Sequence, residues 1–249
     1  MANSTPNSES SQILIVQQSW VPLRGANSSA SEMVSSLLFG EKLEVLSREK
    51  DWLYVRCLHD QYTGYIPESY LSSNLSVNWN NELHFISQTQ YVIIENQGFW
   101  LSPGSKIPVD LSEQLVAHEF HNLDWHGFLM QYLNTPYFWG GRSVFGIDCS
   151  GLTQVFAEFM GHSIPRDAYQ QAEIGETIKF ENKIPGDFAF FTNDAGKVTH
   201  VGVILEDNKI IHASGKVRID SLTSEGILHA EDDILTHKLS VIKRVFSEK

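Results

Sequence analysis

The sequence predicts an α+β fold, with a small β-barrel module ahead of a larger domain of helices and sheet. Three observations carry this prediction. Short β-type runs broken by turn residues fill the first part of the chain, an amphipathic helical run sits near the middle, and three apolar strand-like runs follow it in succession.

The elements follow in order. Residues 1–12, "MANSTPNSESSQ", are polar and read as a disordered tail. This stretch has neither the basic start nor the apolar core of a signal peptide, and no later run is long enough to span a bilayer. The expectation is a cytoplasmic protein without a membrane partner. Residues 13–76 hold "ILIVQ", "VPLR", "KLEVLSRE", "WLYVRCL" and "YTGYIP". In "WLYVRCL", Leu53, Val55 and Cys57 alternate with Trp52, Tyr54 and Arg56, which predicts one buried face of a small barrel with Cys57 in its core. Residues 77–111 hold "LHFIS" and "YVIIENQGFWL", with a turn at "SPGSK", and read as a second, less regular β module or linker.

Residues 112–249 form the larger domain. Leu115, Phe120, Leu123, Phe128, Leu129 and Leu133 are spaced for two short helices ending before Pro136. In "CSGLTQVFAEFMG", Leu152, Val155, Phe156, Phe159 and Met160 recur at three and four residues, and Gly161 supplies a stop. "DFAFF", "HVGVILE" and "KIIHAS" read as consecutive strands, the last two joined by a tight turn at "EDN".

Composition narrows the function. The 249 residues include 18 Lys+Arg against 30 Asp+Glu, a net charge of -12, which disfavours nucleic acid as a partner. Two cysteines, Cys57 and Cys149, cannot build a disulfide framework. Cys149 stands at the first turn of the amphipathic helix, where unpaired backbone N–H groups and the helix dipole favour a thiolate, whereas burial would oppose it. Asp148 and Ser150 are capping types, and Gly151 permits close backbone approach. A nucleophile and a structural cysteine both remain open on these grounds. A thiolate also needs an imidazole and a third group to orient it. His200 and His212 lie six residues before and four after "EDN", so a bulge or a diagonal contact would bring their side chains together. Either histidine could equally be a structural residue satisfied by a backbone carbonyl.

The blocks "PYFWGGRSVFGIDCSGLTQVF", "IPRDAYQQ", "PGDFAFF", "THVGVIL" and "IIHASGKV" resemble, in order, the motifs of the NlpC/P60 cysteine peptidases. "SEMVSSLLFGEKLEVL", "DWLYVRC" and "YTGYIP" resemble the bacterial SH3-type modules fused to murein-tripeptide-recycling members. The resemblance implies a papain-like catalytic domain with Cys149 as nucleophile, His200 as base and His212 as orienting residue. It implies hydrolysis of the bond between γ-D-glutamate and meso-diaminopimelate or L-lysine in murein tripeptides or tetrapeptides with a free N-terminal L-alanine, by a monomer that needs no cofactor. Tyr137 and Trp139 would wall the pocket. Asp148 would meet the amine, Arg166 and Ser150 the carboxylate, and Tyr62, assisted by Glu32, would overhang the site. Ala168 replaces a serine common in the family, for which Asp167 or Tyr169 could compensate. A non-catalytic peptide-binding protein and an acyltransferase on the same fold are the alternatives. A zinc site at "AHEFHNLDWH", with His118, Glu119, His121 and His126, lacks the HExxH spacing, and no metal is expected.

Overall fold

The computed structural model describes residues 12–71, 75–111 and 123–246. The predicted tail to residue 11, the helical reading of Leu115 and Phe120, and the cluster of His118, Glu119 and His121 lie outside the described residues.

The first module is a six-stranded antiparallel sheet of β1 (Ile13–Ile15), β2 (Trp20–Arg24), β3 (Met33–Leu38), β4 (Lys42–Glu49), β5 (Trp52–Cys57) and β6 (Thr63–Pro67). Their spatial order is β1-β4-β5-β6-β2-β3. Leu53, Val55 and Cys57 alternate inward along β5 and pack with Val16, Leu23, Leu37, Leu43 and Ile66. Strand β3, "MVSSLL", is absent from the strand runs predicted above because it lacks alternation: Ser35 and Ser36 are buried on it as well as Leu37 and Leu38. Its second face is covered by the C-terminal domain, where the Ser35 hydroxyl accepts from Arg166 and the Ser36 carbonyl accepts from Arg142.

The middle segment contributes β7 (Leu83–Phe85), β8 (Gln90–Ile94), β9 (Gln97–Leu101) and β10 (Lys106–Pro108). β8 and β9 form a hairpin that turns on Glu95 and Asn96, both at positive φ, the requirement of the tightest hairpin turns. Its core gathers Trp79, Ile86, Val92, Ile94, Phe99, Leu101 and Ile107 around Phe39 of the first module. The Lys106 N–H donates to the Phe39 carbonyl at 2.8 Å, which ties the two segments by backbone as well.

The C-terminal domain begins with α1 (Trp125–Met130), capped by Asp124. The short hairpin of β11 (Arg142–Ser143) and β12 (Gly146–Ile147) then leads into α2 (Cys149–Phe159), which is followed by α3 (Ala168–Gln171). The sheet comprises β13 (Glu176–Ile178), β14 (Phe188–Thr192), β15 (Val198–Ile204), β16 (Lys209–Ser214), β17 (Lys216–Leu222), β18 (Gly226–Leu228) and β19 (Leu235–Arg244). Its order is β13-β19-β14-β15-β16-β17-β18, and β18 also pairs with β19, so six strands close into a ring. Phe188, Phe190, Val201 and Val203 pack outward with Leu152, Val155 and Phe156 of α2. Ala189, Phe191, Ile204, Ile210, Leu222 and Ile242 fill the opposite, inner face. The strands read from sequence correspond to β14, β15 and β16. Strands β17 and β19 escape that reading because "KVRIDSL" and "LTHKLSVIKR" interleave charges with apolar residues on partly exposed surfaces.

All three segments meet at Arg142, which is fully buried. Its Nη1 donates to Glu41 Oε1 at 2.8 Å and to the Ser36 carbonyl at 3.1 Å, and its Nη2 donates to Glu158 Oε1 at 2.8 Å. Lys106 Nζ reaches the other Glu158 oxygen at 3.0 Å. One cation thus joins the first module to α2, and a second brings in the middle segment. Removing one member of such a buried set strands the others without a counter-charge. Arg142→Leu is therefore expected to lower the unfolding free energy by about 3–5 kcal/mol in urea titration. Arg56→Gln, which breaks the more exposed pair with Glu44, should cost less than about 1 kcal/mol.

Candidate active site

The site is built from the first turn of α2. Asp148 is its N-cap, in extended conformation, and its Oδ1 accepts the Gly151 N–H at 2.7 Å. Its Oδ2 accepts the Gly140 N–H at 2.7 Å. Arg166 closes on the same carboxylate with two bonds, Nη1 to Oδ1 at 3.0 Å and Nη2 to Oδ2 at 2.6 Å. Ser150 Oγ accepts from Arg166 Nη1 at 2.8 Å, and Ser35 Oγ of β3 accepts from Nε at 3.0 Å. Gly151 is required here, since a Cβ would stand 2.2 Å from the Gly141 carbonyl oxygen. The amine and carboxylate roles that the resemblance implies for Asp148, Arg166 and Ser150 therefore fall on groups that already bind one another. Their polar atoms hold the helix start against the first module.

Cys149 follows this anchor and is 6 % exposed. Burial, with the Asp148 charge second, pushes its thiol up to about 12, against the opposite pull of the Val201 and Ser150 backbone N–H groups and of Arg166. The thiolate that the helix terminus alone would favour is thus not the resting form, because desolvation outweighs the dipole. The link to Val201 sets the sulfur against β15 one residue from His200, and Cys149 still lines an open cavity.

His200 and His212 meet by the diagonal route. Gly202, not His200, is the register partner of His212, yet His200 Nε2 and His212 Nδ1 are 2.8 Å apart. His212 Nε2 lies 2.9 Å from Asp220 Oδ2 on β17. Burial pulls the Asp220 carboxyl up, but the hydrogen bonds from His212 and the Ala230 N–H, with the charge of Arg218, hold it at about 2. An ionised carboxylate can only accept, so His212 carries its proton on Nε2 and accepts at Nδ1. His200 must then donate from Nε2, which leaves its Nδ1 as the free base. Burial, with the neighbouring His212 and His237, pushes His200 well below the ordinary histidine range, so it rests neutral.

One cavity reaches the Cys149 side chain and a second reaches His200. The first, of about 440 Å³, is lined by Glu32 and Tyr62 of the first module together with Trp139, Asp148, Cys149 and Asp167. Tyr62 Oη donates to Asp167 at 3.3 Å, and Glu32 accepts from Trp139 Nε1 at 2.7 Å; Glu32 thus supports Trp139, not Tyr62. Burial raises the Asp167 carboxyl above its ordinary value against the opposing pull of Arg166. Tyr169 and Ala168 line the same wall. The second cavity, of about 340 Å³, is lined by Tyr137, Thr199, His200, Gly215 and His237. Tyr137 and Trp139 therefore wall different cavities. Sequence reasoning missed Asp220 and His237. The inward-facing acid in "KVRIDSL" is the one local signal for the first, and nothing local marks the second.

Residues 134–232 match the NlpC/P60 family and residues 23–71 match the bacterial dipeptidyl-peptidase Sh3 domain. The chain is 37% identical over 121 residues to a gamma-D-glutamyl-L-lysine dipeptidyl-peptidase of Bacillus subtilis (strain 168), covering 47% of this chain but 38% of that relative's length. A protein of the same name from Bacillus cereus (strain ATCC 10987) is 25% identical over 256 residues, covering 80% of this chain and 74% of the relative. The probable endopeptidase NlpC of Escherichia coli (strain K12) is 36% identical over 135 residues, covering 53% and 73%. The fold matches that of a solved NlpC/P60 family protein from Bacillus cereus ATCC 10987, with a TM-score of 0.78 at 20% identity over 94% of this chain and 99% of that one. The helix, sheet and barrel module are thus those of a peptidoglycan-related peptidase group, and the chain belongs to the NlpC/P60 family.

Proposed function

We propose that this protein is a cysteine peptidase that cleaves the γ-D-glutamyl–L-diamino acid bond of murein peptides carrying a free N-terminal L-alanine, acting in the recycling of cell-wall peptides. The observation that carries this reading is the relay from His200 through His212 to Asp220 beside a cysteine that opens on a cavity walled by both modules. The activity for which the two Bacillus relatives are named, gamma-D-glutamyl-L-lysine dipeptidyl-peptidase, favours this bond and the dipeptide product.

In this reaction, His200 Nδ1 takes the Cys149 proton as Sγ attacks the γ-carbonyl. The imidazolium so formed donates from Nε2 to His212, which donates to the Asp220 carboxylate, so the new positive charge meets an acceptor-terminated chain. The Cys149 backbone N–H, first in α2 and so without an intrahelical partner, is aimed at the developing oxyanion. The C–N bond then breaks as His200 returns the proton to the leaving amine in the cavity that it lines. A water molecule attacks the thioester with His200 again as base, which frees the dipeptide and restores the thiol. The substrate's ammonium sits between Asp167, Tyr62 and Glu32, which keep faces open to the cavity, while Asp148 and Arg166 buttress the wall.

The decisive experiment supplies L-Ala-γ-D-Glu-L-Lys and its meso-diaminopimelate counterpart and follows free L-Ala-γ-D-Glu by mass spectrometry. Wild-type protein should release the dipeptide and Cys149→Ala should not; intact substrates after prolonged incubation with wild type would overturn the proposal. Acetylating the alanine amine should reduce kcat/KM by about 2–5 kcal/mol equivalent, since it strands a desolvated carboxylate.

Asp220→Asn replaces an acceptor-only group by an amide that can donate as well as accept, so neither histidine is held to one tautomer. Steady-state kinetics should show kcat falling about tenfold or more with KM little changed, and Asp220→Glu should restore part of the loss.

The neutral resting imidazole has a stability signature as well. Because the folded His200 titrates below its unfolded value of 6.5, the unfolded chain takes up the proton first as pH falls. Stability is then lost from about pH 6.5 downward at up to about 1.4 kcal/mol per pH unit. Urea titrations at three pH values between 7.5 and 5 should show this slope, and His200→Asn should flatten it.

A further inference from the structure

His237 takes no part in the relay, yet its ring stacks on His200 with centroids 4.1 Å apart and planes at 25°. His200 and His212 meet edge to face at 5.0 Å. Each of the three imidazoles offers a ring nitrogen, and these nitrogens lie within 4.8 Å of one another. We propose that His200, His212 and His237 form a site for a divalent metal ion of the zinc class, and that a metal seated there switches the enzyme off.

The hydrogen bonds decide which lone pairs are available. Asp220 engages His212 through Nε2–H and leaves Nδ1 for a metal. A carboxylate that fixes the outer nitrogen of a metal-binding histidine is the usual second layer of such centres. Thr236 Oγ1 donates to the Ile227 carbonyl at 3.3 Å and so accepts from His237 Nδ1 at 2.9 Å, which leaves His237 Nε2 unprotonated. His200 presents Nε2 once its proton moves to Nδ1. Tetrahedral coordination at about 2.0–2.1 Å sets ligand nitrogens roughly 3.3–3.4 Å apart. The 2.8 Å contact between His200 and His212 then opens by about half an ångström, and the His237 ring turns out of its stack on His200 so that its in-plane lone pair points at the ion. The cavity lined by His200 and His237 gives a route in and room for water as the fourth ligand.

A second convergence of potential ligands among the described residues, Glu41, His59 and Glu158, differs in kind. Arg142 and Lys106 already neutralise its carboxylates.

Binding at the three histidines needs no oxidant and no net loss of a proton, because the His200 proton only changes nitrogen. That change is what blocks the reaction. The atom that must accept the Cys149 proton becomes protonated, and Nε2 can no longer donate to His212. Inhibition rests on the peptidase proposed above; binding does not.

The test uses the full chain with Cys149→Ala, so that the thiol contributes nothing. Zinc is titrated in competition with a chromophoric chelator, and cobalt(II) serves as a spectroscopic probe. One high-affinity equivalent should bind, with a tetrahedral cobalt spectrum. His237→Ala should weaken zinc binding at least tenfold, and Asp220→Asn about 10–100-fold through the outer contact. With the native cysteine, one equivalent of zinc should stop dipeptide release and a chelator should restore it. Affinity unchanged in both variants, or lost instead in His59→Ala or His126→Ala, overturns the site. If His237→Ala does not fold, the Asp220→Asn titration and the cobalt spectrum decide the matter. Should wild type cleave neither peptide, the binding data still test the site while the peptidase reading fails separately.

Discussion

The buried ion pair between Asp148 and Arg166 is the constraint on which the rest of the site depends. One carboxylate caps α2, accepts the Gly140 N–H from the loop before β11 and receives two arginine donors. Arg166 then reaches Ser35 in the first module. The position of Cys149, the course of the chain that carries Trp139, and the docking of the barrel module are therefore fixed by the same few atoms. A buried pair of this kind contributes little net stability, because desolvation offsets most of the attraction, but its geometry is hard to satisfy in any other arrangement. Arg142 repeats the device on the far side of α2, with Glu41 and Glu158. The helix is thus pinned to the first module by two arginines.

Around that anchor, burial acts in opposite senses on the two groups that would exchange a proton. It raises the Cys149 thiol and lowers the His200 imidazole, so the resting couple is neutral on both sides. A neutral couple places the burden on what happens as the proton moves. The chain through His212 matters for this reason: it ends in Asp220, whose ionised state is secured by Arg218 and the Ala230 N–H. An acceptor-only terminus sets both tautomers without any further contact. A neutral donor in its place would leave each histidine free to adopt either one.

What the sequence reveals, and what it hides, follows from the range of the interactions involved. The start of α2, the hairpin through "EDN" and the barrel face of β5 are local patterns, legible from spacing and residue type. Cys149, His200, His212 and Tyr62 stand out because their side chains are chemically distinctive where they occur. Asp220 and His237 do not, because their strands mix charged and apolar residues and their partners come from other strands of a ring whose closure no local pattern announces. The saturation of Asp148 by Arg166 and the burial of the Cys149 thiol are likewise tertiary facts. Position in a helix predicts the sign of one electrostatic effect on that thiol, and packing reverses the total.

The barrel module is part of the site's wall, and this shapes what the proposed reaction can accept. Tyr62 and Glu32 line the cavity opposite Asp167, and neither could do so unless Arg166 and Arg142 held the module in place. In the proposed complex, an ammonium facing Asp167 has the Tyr62 hydroxyl beside it, so a peptide extended beyond its first residue meets that wall and loses its cation. Selection for a short substrate with a free amine is then a property of the seam between the two modules rather than of the catalytic domain alone. The same seam accounts for the buried Ser35 of β3, an anomaly for an isolated barrel, whose hydroxyl accepts from Arg166 across the joint.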